Sequence, residues 1–327
     1  MHPAGAIMRH LSRRSCLVLV LIGLAAPVQA ARAQRCGDGQ LSLAASGSLT
    51  LPPTFGIMGV DAAPDGRLTL WSPNAELLLV DASRRLTTYQ LPDTIAPAGV
   101  VPDGGDGFRL IDTRSGREML ARKEGTLAAT SDRLLHSGEL LERAVPWGDG
   151  WILGLVDTSA RQYVVRHVSR IRTETWFRSA TADSVDAVPR YTISAGAGGV
   201  LLSLGSAPFT VRRLDPATRR FVELPLPLAG HTALVPADSL KSWRSISTVA
   251  LDCSLLLTLS DLTSDRRILV RYGPEDQVVR VTPVDAPLGL VARIPGTQTV
   301  LAARRAGELE LVWYDWRWVR EPGSAGH

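Results

Sequence analysis

The sequence predicts an all-β fold, a six-bladed β-propeller of four-stranded antiparallel blades whose ring is closed by an N-terminal strand. Six times along the chain, a tight polar turn rich in Gly or Asp leads into a short, strongly apolar run of the kind that forms a β-strand. The runs open at Gly66, Gly107, Gly150, Gly199, Cys253 and Gln298, and are therefore 41, 43, 49, 54 and 45 residues apart. Such even spacing is typical of equal sheets arranged around a central channel. Nothing between the runs has helical periodicity over a useful length.

The first repeat shows the plan most clearly. It predicts an inner strand at residues 55–60, a second strand at 67–71, a third at 76–82 and a fourth at 86–91. Between the first two strands, Pro64 and Gly66 fit a tight turn, because Pro pre-sets φ and Gly tolerates positive φ. The other repeats predict strands at residues 108–111, 117–121, 151–156, 163–168, 174–177, 200–204, 210–214, 221–224, 245–252, 254–259, 268–272, 278–281, 290–294, 300–303 and 309–314.

The strand-like segment at residues 40–51 precedes the first repeat and belongs to none of them. It alternates apolar and polar residues, as an outer strand does. We expect it to complete blade six beside residues 313–318, because a ring must cover its last sheet edge. The alternative is a flexible N-terminal lead.

The N-terminus is typical of an export signal. Arg9, Arg13 and Arg14 precede an apolar run at residues 16–26, and small residues allow cleavage after Ala30 or Ala33. The predicted organisation is a signal peptide at 1–33, a propeller at 34–321 and a short tail at 322–327. The location is then periplasmic or secreted. The general secretory and twin-arginine routes both stay open, and the mature chain has no transmembrane span.

Charge and composition limit the kinds of partner that the chain is expected to bind. The chain is formally +4, but its first 33 residues hold four Arg and no acid, so the remainder is near neutral. Outside short pairs such as Arg212 and Arg213, which we expect on a solvated rim, no dense basic face appears, and this argues against a nucleic-acid partner. We expect a monomer that binds a protein or a small polar ligand.

Two cysteines survive signal removal, Cys36 and Cys253. A disulfide between them would tie the closing strand to blade five, in a compartment that permits such bonds. Alternatively, Cys253 is a buried apolar residue.

The sequence contains no recognisable catalytic, cofactor-binding or metal-binding motif. The His residues that remain after processing lack a second His, Cys or carboxylate at metal-ligand spacing, so no metal, cofactor or catalytic residue is predicted. Candidate ligand-binding residues come instead from the longest connections between blades, because the blade-to-blade loops gather on one face around the channel. They are His231, Lys241, Trp243 and Arg244 before blade five, and Arg190 and Tyr191 before blade four. Trp147 and Trp151 are expected to pack between blades.

The segments GIMGVD at residues 56–61, PDGRLTL at 64–70 and RLTTY at 85–89 together resemble an NHL-type or related bacterial six-bladed propeller repeat. The resemblance implies the propeller architecture over residues 40–320, and for Asp61 a role in fixing the turn. Members of such families bind proteins, nucleic acids, sugars or metals, and some are lactonases, lyases or peptide-processing enzymes. Two functions therefore remain: an exported non-catalytic binding propeller, or an exported hydrolase or lactonase-like enzyme with a site assembled from several blades.

Overall fold

The computed structural model describes residues 40–63, 65–103, 107–122, 126–196, 199–204, 210–224, 243–251, 255–261, 263, 267–273, 278–284 and 288–319. In this part of the chain all regular structure is β-strand, and the strands form six four-stranded antiparallel sheets. The contacts divide the chain into two compact units. Leu43–Trp316 forms the propeller, and the few described residues outside it are the far ends of its first and last strands.

Five sheets use four strands that are consecutive in sequence, and the sixth takes its outer strand from the N-terminus. Blade one contains β2 (Gly59–Ala62), β3 (Leu68–Trp71), β4 (Glu76–Val80) and β5 (Leu86–Gln90), and blade two contains β6 (Pro97–Pro102), β7 (Gly107–Asp112), β8 (Glu118–Arg122) and β9 (Leu127–Ala129). Blade three contains β10 (Glu139–Trp147), β11 (Gly150–Asp157), β12 (Gln162–Val168) and β13 (Thr173–Arg178), and blade four contains β14 (Tyr191–Gly196), β15 (Gly199–Leu204), β16 (Val211–Asp215) and β17 (Arg220–Leu224). Blade five contains β18 (Trp243–Ala250), β19 (Leu255–Asp261), β20 (Arg267–Gly273) and β21 (Val278–Val284), and blade six contains β22 (Leu288–Arg293), β23 (Thr299–Ala306), β24 (Glu308–Val319) and β1 (Gln40–Thr50).

The apolar runs of the sequence are the second strands of the blades. All four residues of β3 are buried, and so are seven of the eight residues of β11. The outer strand β5, by contrast, has no buried residue. Strands covered on both faces are continuous apolar runs, whereas an outer strand faces solvent and is more polar.

The cores lie between neighbouring blades. One cluster joins blade one to blade six, where Leu68 and Leu70 pack with Leu301 and Leu311. Another joins blades three and four through Val145, Val156, Ile193 and Leu202. Burial against the neighbouring sheet, more than contacts within one sheet, therefore holds each blade in place.

The predicted closure of the ring is confirmed. β1 is the hydrogen-bonded neighbour of β24, and just beyond its end the Leu51 amide donates to the Leu309 carbonyl at 2.9 Å. Arg84 of blade one adds a second connection: its Nη1 donates to the Ser46 carbonyl at 3.1 Å, and its guanidinium lies 4.8 Å from the centre of the Trp313 ring.

The inner ring differs from the sequence prediction in two ways. The inner strand of blade one begins at Gly59 rather than at residue 55, and that of blade five begins at Trp243 rather than at residue 245. The inner strands of blades three and four, β10 and β14, were not predicted. β10 contains Glu142 and Arg143 in mid-strand and a β-bulge between Leu141 and Arg143, which disturbs its apolar and polar alternation.

The predicted domain limits at residues 33/34 and 321/322, and both cysteines of the predicted disulfide, Cys36 and Cys253, lie outside the described residues. Within the described part, no helix is long and apolar enough to span a membrane.

Candidate functional site

A cavity of about 90 Å³ lies in the central channel. Its lining comes mainly from the inner strands of five blades: Val60, Asp61 and Ala62 of β2, Arg143 and Val145 of β10, Ile193, Ser194 and Ala195 of β14, Thr248, Val249 and Ala250 of β18, and Ala292 and Arg293 of β22, with Gly199 and Pro295 from adjoining segments. Most of these residues occupy the second half of their strand. The cavity is therefore toward the end of the channel opposite to the blade-to-blade loops that the sequence singled out.

Arg143 enters the channel from blade three and reaches to blade one. Its Nη1 donates to the Met58 carbonyl at 3.2 Å, and its guanidinium lies 5.3 Å from the centre of the Trp71 ring. Two further nitrogen atoms of this guanidinium group have no hydrogen-bond partner among the described residues. Nε is buried, whereas Nη2 is not. Arg143 is thus held by one edge and its ring contact, and Nη2 is left open to the channel.

Trp71 can form this contact because β2 begins with a glycine. A Cβ atom at Gly59 would lie only 2.0 Å from Cζ2 of Trp71, so any larger residue would displace the indole. The bulge before Arg143 also matters, since an inserted residue changes which face the following side chains occupy.

Asp61 lies on β2, where its backbone is paired with Thr69. Burial raises the pKa of its carboxyl group to about 7, and the positive charge of Arg143 opposes that rise only in part. Within the described residues, Asp61 makes neither a hydrogen bond nor an ion pair with Arg143. A half-buried carboxyl that titrates near neutrality is unusual and marks a candidate functional residue.

A second guanidinium, that of Arg293 on β22, also lines the cavity. Its Nη2 donates to the Thr297 carbonyl at 3.3 Å, and its Cζ lies 5.7 Å from the centre of the Trp316 ring. Apart from these charged groups the walls are formed by small and apolar side chains together with two hydroxyls, Ser194 and Thr248. Ser194 donates to the Thr248 carbonyl at 2.8 Å, so its hydroxyl proton is already used.

The sequence assigned Asp61 to fixing the turn of blade one, and this was wrong. The turn is fixed by Asp65, whose carboxylate accepts from the backbone amide of Arg67 at 3.1 Å and from its Nε at 2.7 Å. Asp61 stands within the inner strand instead, so its side chain is free of the turn and lines the channel.

Arg190 and Tyr191, predicted as ligand-binding residues, do not line the cavity. Arg190 forms an ion pair with Glu142 at 2.7 Å. Tyr191 packs with Tyr163 and Phe177 at centroid distances of 5.2 and 5.3 Å, and its carbonyl accepts from the Tyr163 hydroxyl at 3.0 Å. Both residues have structural partners between blades three and four, which explains their position without a ligand.

Trp243 and Arg244 were expected in the connection before the strand predicted at 245–252, but they are the first two residues of the inner strand β18, and their backbones pair with Asp261 and Ser260. His231 and Lys241 lie outside the described residues. Their proposed part in binding stays a prediction.

Sequence reasoning missed Arg143 and Arg293 as site residues. The available signal was a cation within an apolar inner-strand run, as in LERAV at residues 141–145 and LVARI at 290–294. Such a residue must find a partner or face a channel, because an isolated charge is costly to bury.

A larger cleft, of about 570 Å³, lies between blades two and three and is lined in part by Arg109, Glu118, Asp149 and Trp151. Its central polar groups pair with one another: Arg109 Nε and Trp151 Nε1 both donate to Glu118, at 2.7 and 3.0 Å. Trp151 is only 2% exposed, and Trp147 packs against the core between blades three and four, which confirms both as blade-packing residues. Among the described residues, no group of three His, Cys, Asp or Glu is arranged to hold a metal ion.

Solved structures share this architecture at low sequence identity. A luciferin-regenerating enzyme is 8% identical, with a TM-score of 0.57 over 85% of this chain and 98% of its own. The calcium-binding protein regucalcin from Agrobacterium tumefaciens is 13% identical, with a TM-score of 0.53 over 85% and 97% of the two chains. A Bacteroides fragilis protein with a provisional assignment as exported is 10% identical, with a TM-score of 0.53 over 86% and 96%.

No family model matches the chain, and no curated protein matches it. The NHL-type resemblance therefore stays a prediction. At these identities the likeness shows the six-bladed propeller fold alone, which enzymes and binding proteins share.

Proposed function

We propose that this protein is an exported binding propeller whose central channel takes a small polar ligand between Asp61 and Arg143. One observation carries the proposal: a carboxyl and a guanidinium face the same cavity, each with open polar atoms, yet form no ion pair with each other. Opposite charges this near a shared space normally pair or are bridged, because desolvated groups are costly to leave unsatisfied. A bridging ligand satisfies both.

The size of the cavity limits the ligand. About 90 Å³ holds several water molecules or one small molecule, and no folded partner or polymer segment. The protein-binding alternative would therefore use an outer surface rather than this cavity.

The test compares thermal unfolding of the wild type with that of the double variant Asp61→Asn, Arg143→Gln in the presence of small neutral, zwitterionic, anionic and cationic compounds. A ligand at 100 times its Kd stabilises the wild type by about 2.7 kcal/mol, or roughly 5–10 °C for a domain of this size. We expect one class to give such a shift in the wild type and none in the double variant.

Arg67→Gln, which removes a partly exposed Arg paired with Asp65, serves as the matched control and should respond as the wild type does. Equal shifts in the wild type and the double variant, or no shift with any class, would exclude the channel as a ligand site.

Expression with the native N-terminus and intact-mass measurement of the purified protein test export, since cleavage after Ala30 or Ala33 is expected.

One feature favours a second candidate, an enzyme. A carboxyl group with a pKa of about 7 beside a cation suits general acid–base catalysis at neutral pH. Hydrolysis of a small ester or lactone that is lost in Asp61→Asn, with a rate rising through about pH 7, would favour that candidate over simple binding.

A further inference from the structure

We infer that the ligand of the channel cavity is a small organic acid, bound as its carboxylate between the side chains of Arg143 and Asp61. The inference rests on the proposed function and adds the chemical class of the ligand. It has three parts: the charge of the cavity, the polarity of its walls and the protonation state of Asp61.

Arginine side chains outnumber carboxylates in the lining of the cavity. Among the described residues, its charged groups are Arg143 on β10, Arg293 on β22 and Asp61 on β2. Tyr163, which interacts electrostatically with Arg143, is fully buried and donates its hydroxyl to the Tyr191 carbonyl, and burial raises its pKa far from neutrality. An anion is the ligand charge that this set attracts.

The walls away from Asp61 and Arg143 suit a short hydrocarbon tail. Val145, Ile193 and Val249 are buried apolar residues of three different blades, and Ala195, Ala250 and Ala292 add further apolar lining. A ligand with one charged end and a few carbon atoms would match both surfaces. A larger anion such as a nucleotide would not fit within about 90 Å³.

Asp61 can act as a donor to a carboxylate only in its neutral form. Because burial raises the pKa of Asp61 to about 7, that form is well populated at neutral pH before any ligand binds. Burial lowers the pKa of the Arg143 guanidinium, while the nearby Asp61 carboxyl opposes that change, and arginine is effectively always protonated in proteins. A bound carboxylate stabilises protonated Asp61 further, so binding takes up protons and weakens as the pH rises.

Isothermal titration with sodium propionate at about pH 6 and about pH 8.5 tests the inference. The population of neutral Asp61 falls about 30-fold between those values, and the affinity of the wild type should fall by the same factor. Asp61→Asn keeps an N–H donor at every pH, so its affinity should be independent of pH. Arg143→Gln should bind propionate at least 10-fold more weakly at about pH 6, while Arg67→Gln should match the wild type.

Three neutral or differently charged probes separate this inference from the proposed function: propionamide, glycine and methylammonium. Binding of one of them in an Arg143- or Asp61-dependent way, without propionate binding, would overturn the carboxylate assignment and leave the channel site standing. Propionate affinity that is constant or rises with pH would also overturn it. If no probe binds, the channel site itself fails. Because Arg143→Gln also loses the Met58 contact, circular dichroism must show a folded variant, and Arg143→Lys, which keeps the charge, should retain part of the affinity.

Discussion

The position of Arg143 depends on Gly59, a residue of blade one that has no side chain. Gly59 allows the Trp71 indole to lie against β2, and the indole in turn supports the guanidinium of Arg143. The sequence identified Trp71 as the end of an apolar strand, but nothing local shows that its ring extends across a glycine on the neighbouring strand. Such cross-strand dependence follows from register, which a single sequence does not reveal.

Replacement of Gly59 by Ala tests this dependence. The added Cβ would lie 2.0 Å from Trp71, so the indole must move, and we expect a loss of about 1–3 kcal/mol in the free energy of unfolding. Ligand binding in the channel should weaken as well, because Arg143 loses its support. Gly56→Ala is the matched control, since its nearest neighbour atom would be 3.6 Å away. Chemical denaturation of both variants measures the change in stability. A Gly59→Ala variant as stable as Gly56→Ala would show that Trp71 adjusts without cost.

Asp61 is a second residue whose position could not be predicted from the neighbouring sequence. Its place in a Val-Asp motif suggested a turn role, whereas the structure places it in the strand and facing the channel. Whether an Asp near a strand end faces the turn or the channel depends on where pairing begins, and strand ends are the least certain feature of a sequence prediction.

At the scale of elements, β10 is an inner strand that the sequence did not predict, and it carries Arg143 of the cavity. Its first residue, Glu139, is 8% exposed and accepts from Arg166 of β12 at 2.8 Å and from the His136 amide at 2.8 Å. The strand therefore begins with a buried charged residue, and Glu142, Arg143 and the bulge before Arg143 interrupt its apolar pattern further along. β12 also contains a charged residue, Arg166, but it has no bulge at that point of its pairing with β11, and its run of apolar residues at 163–165 was enough to predict it.

The Glu139–Arg166 pair should be needed as a pair. Replacing Arg166 by Met leaves Glu139 buried and unpaired, and we expect unfolding to become easier by about 3–5 kcal/mol. The double variant Glu139→Met, Arg166→Met should recover most of this loss, because no isolated charge remains. Urea denaturation of the three proteins measures the difference, and a double variant no more stable than Arg166→Met would contradict the explanation.

The same pair gives a pH dependence. Burial alone would raise the pKa of Glu139, but its hydrogen bonds from Arg166 and His136 outweigh burial and lower the pKa in the folded protein. The stabilisation is therefore complete above the unfolded pKa of Glu, about 4.3, and is lost as the pH falls through the folded value. Arg166→Met should lack this share of the acid sensitivity.

For the whole molecule, the repeat spacing was enough to predict six blades, because each repeat carries its own turn and apolar run, and the alternating segment at residues 40–51 predicted the closing strand. The cavity could not be predicted in this way. Two to four of its residues come from each of five blades, and the residue types at these positions differ from blade to blade. A site of this kind has no linear motif, since it exists only after the ring has closed.

Ring closure is the property on which the site therefore depends, and deletion of β1 tests it. A chain lacking residues 40–50 would expose the edge of β24, lose the contact of Arg84 with Ser46 and uncover part of the core around Leu51. We expect it to lose most of a global stability that is typically about 5–15 kcal/mol, and to self-associate through the open edge. Thermal unfolding and light scattering, compared with an otherwise identical chain that keeps β1, measure both effects. A synthetic peptide of residues 40–50 should restore stability in trans, and a scrambled peptide should not. An unchanged melting temperature, with no change in association, would show that the other blades hold the ring without β1.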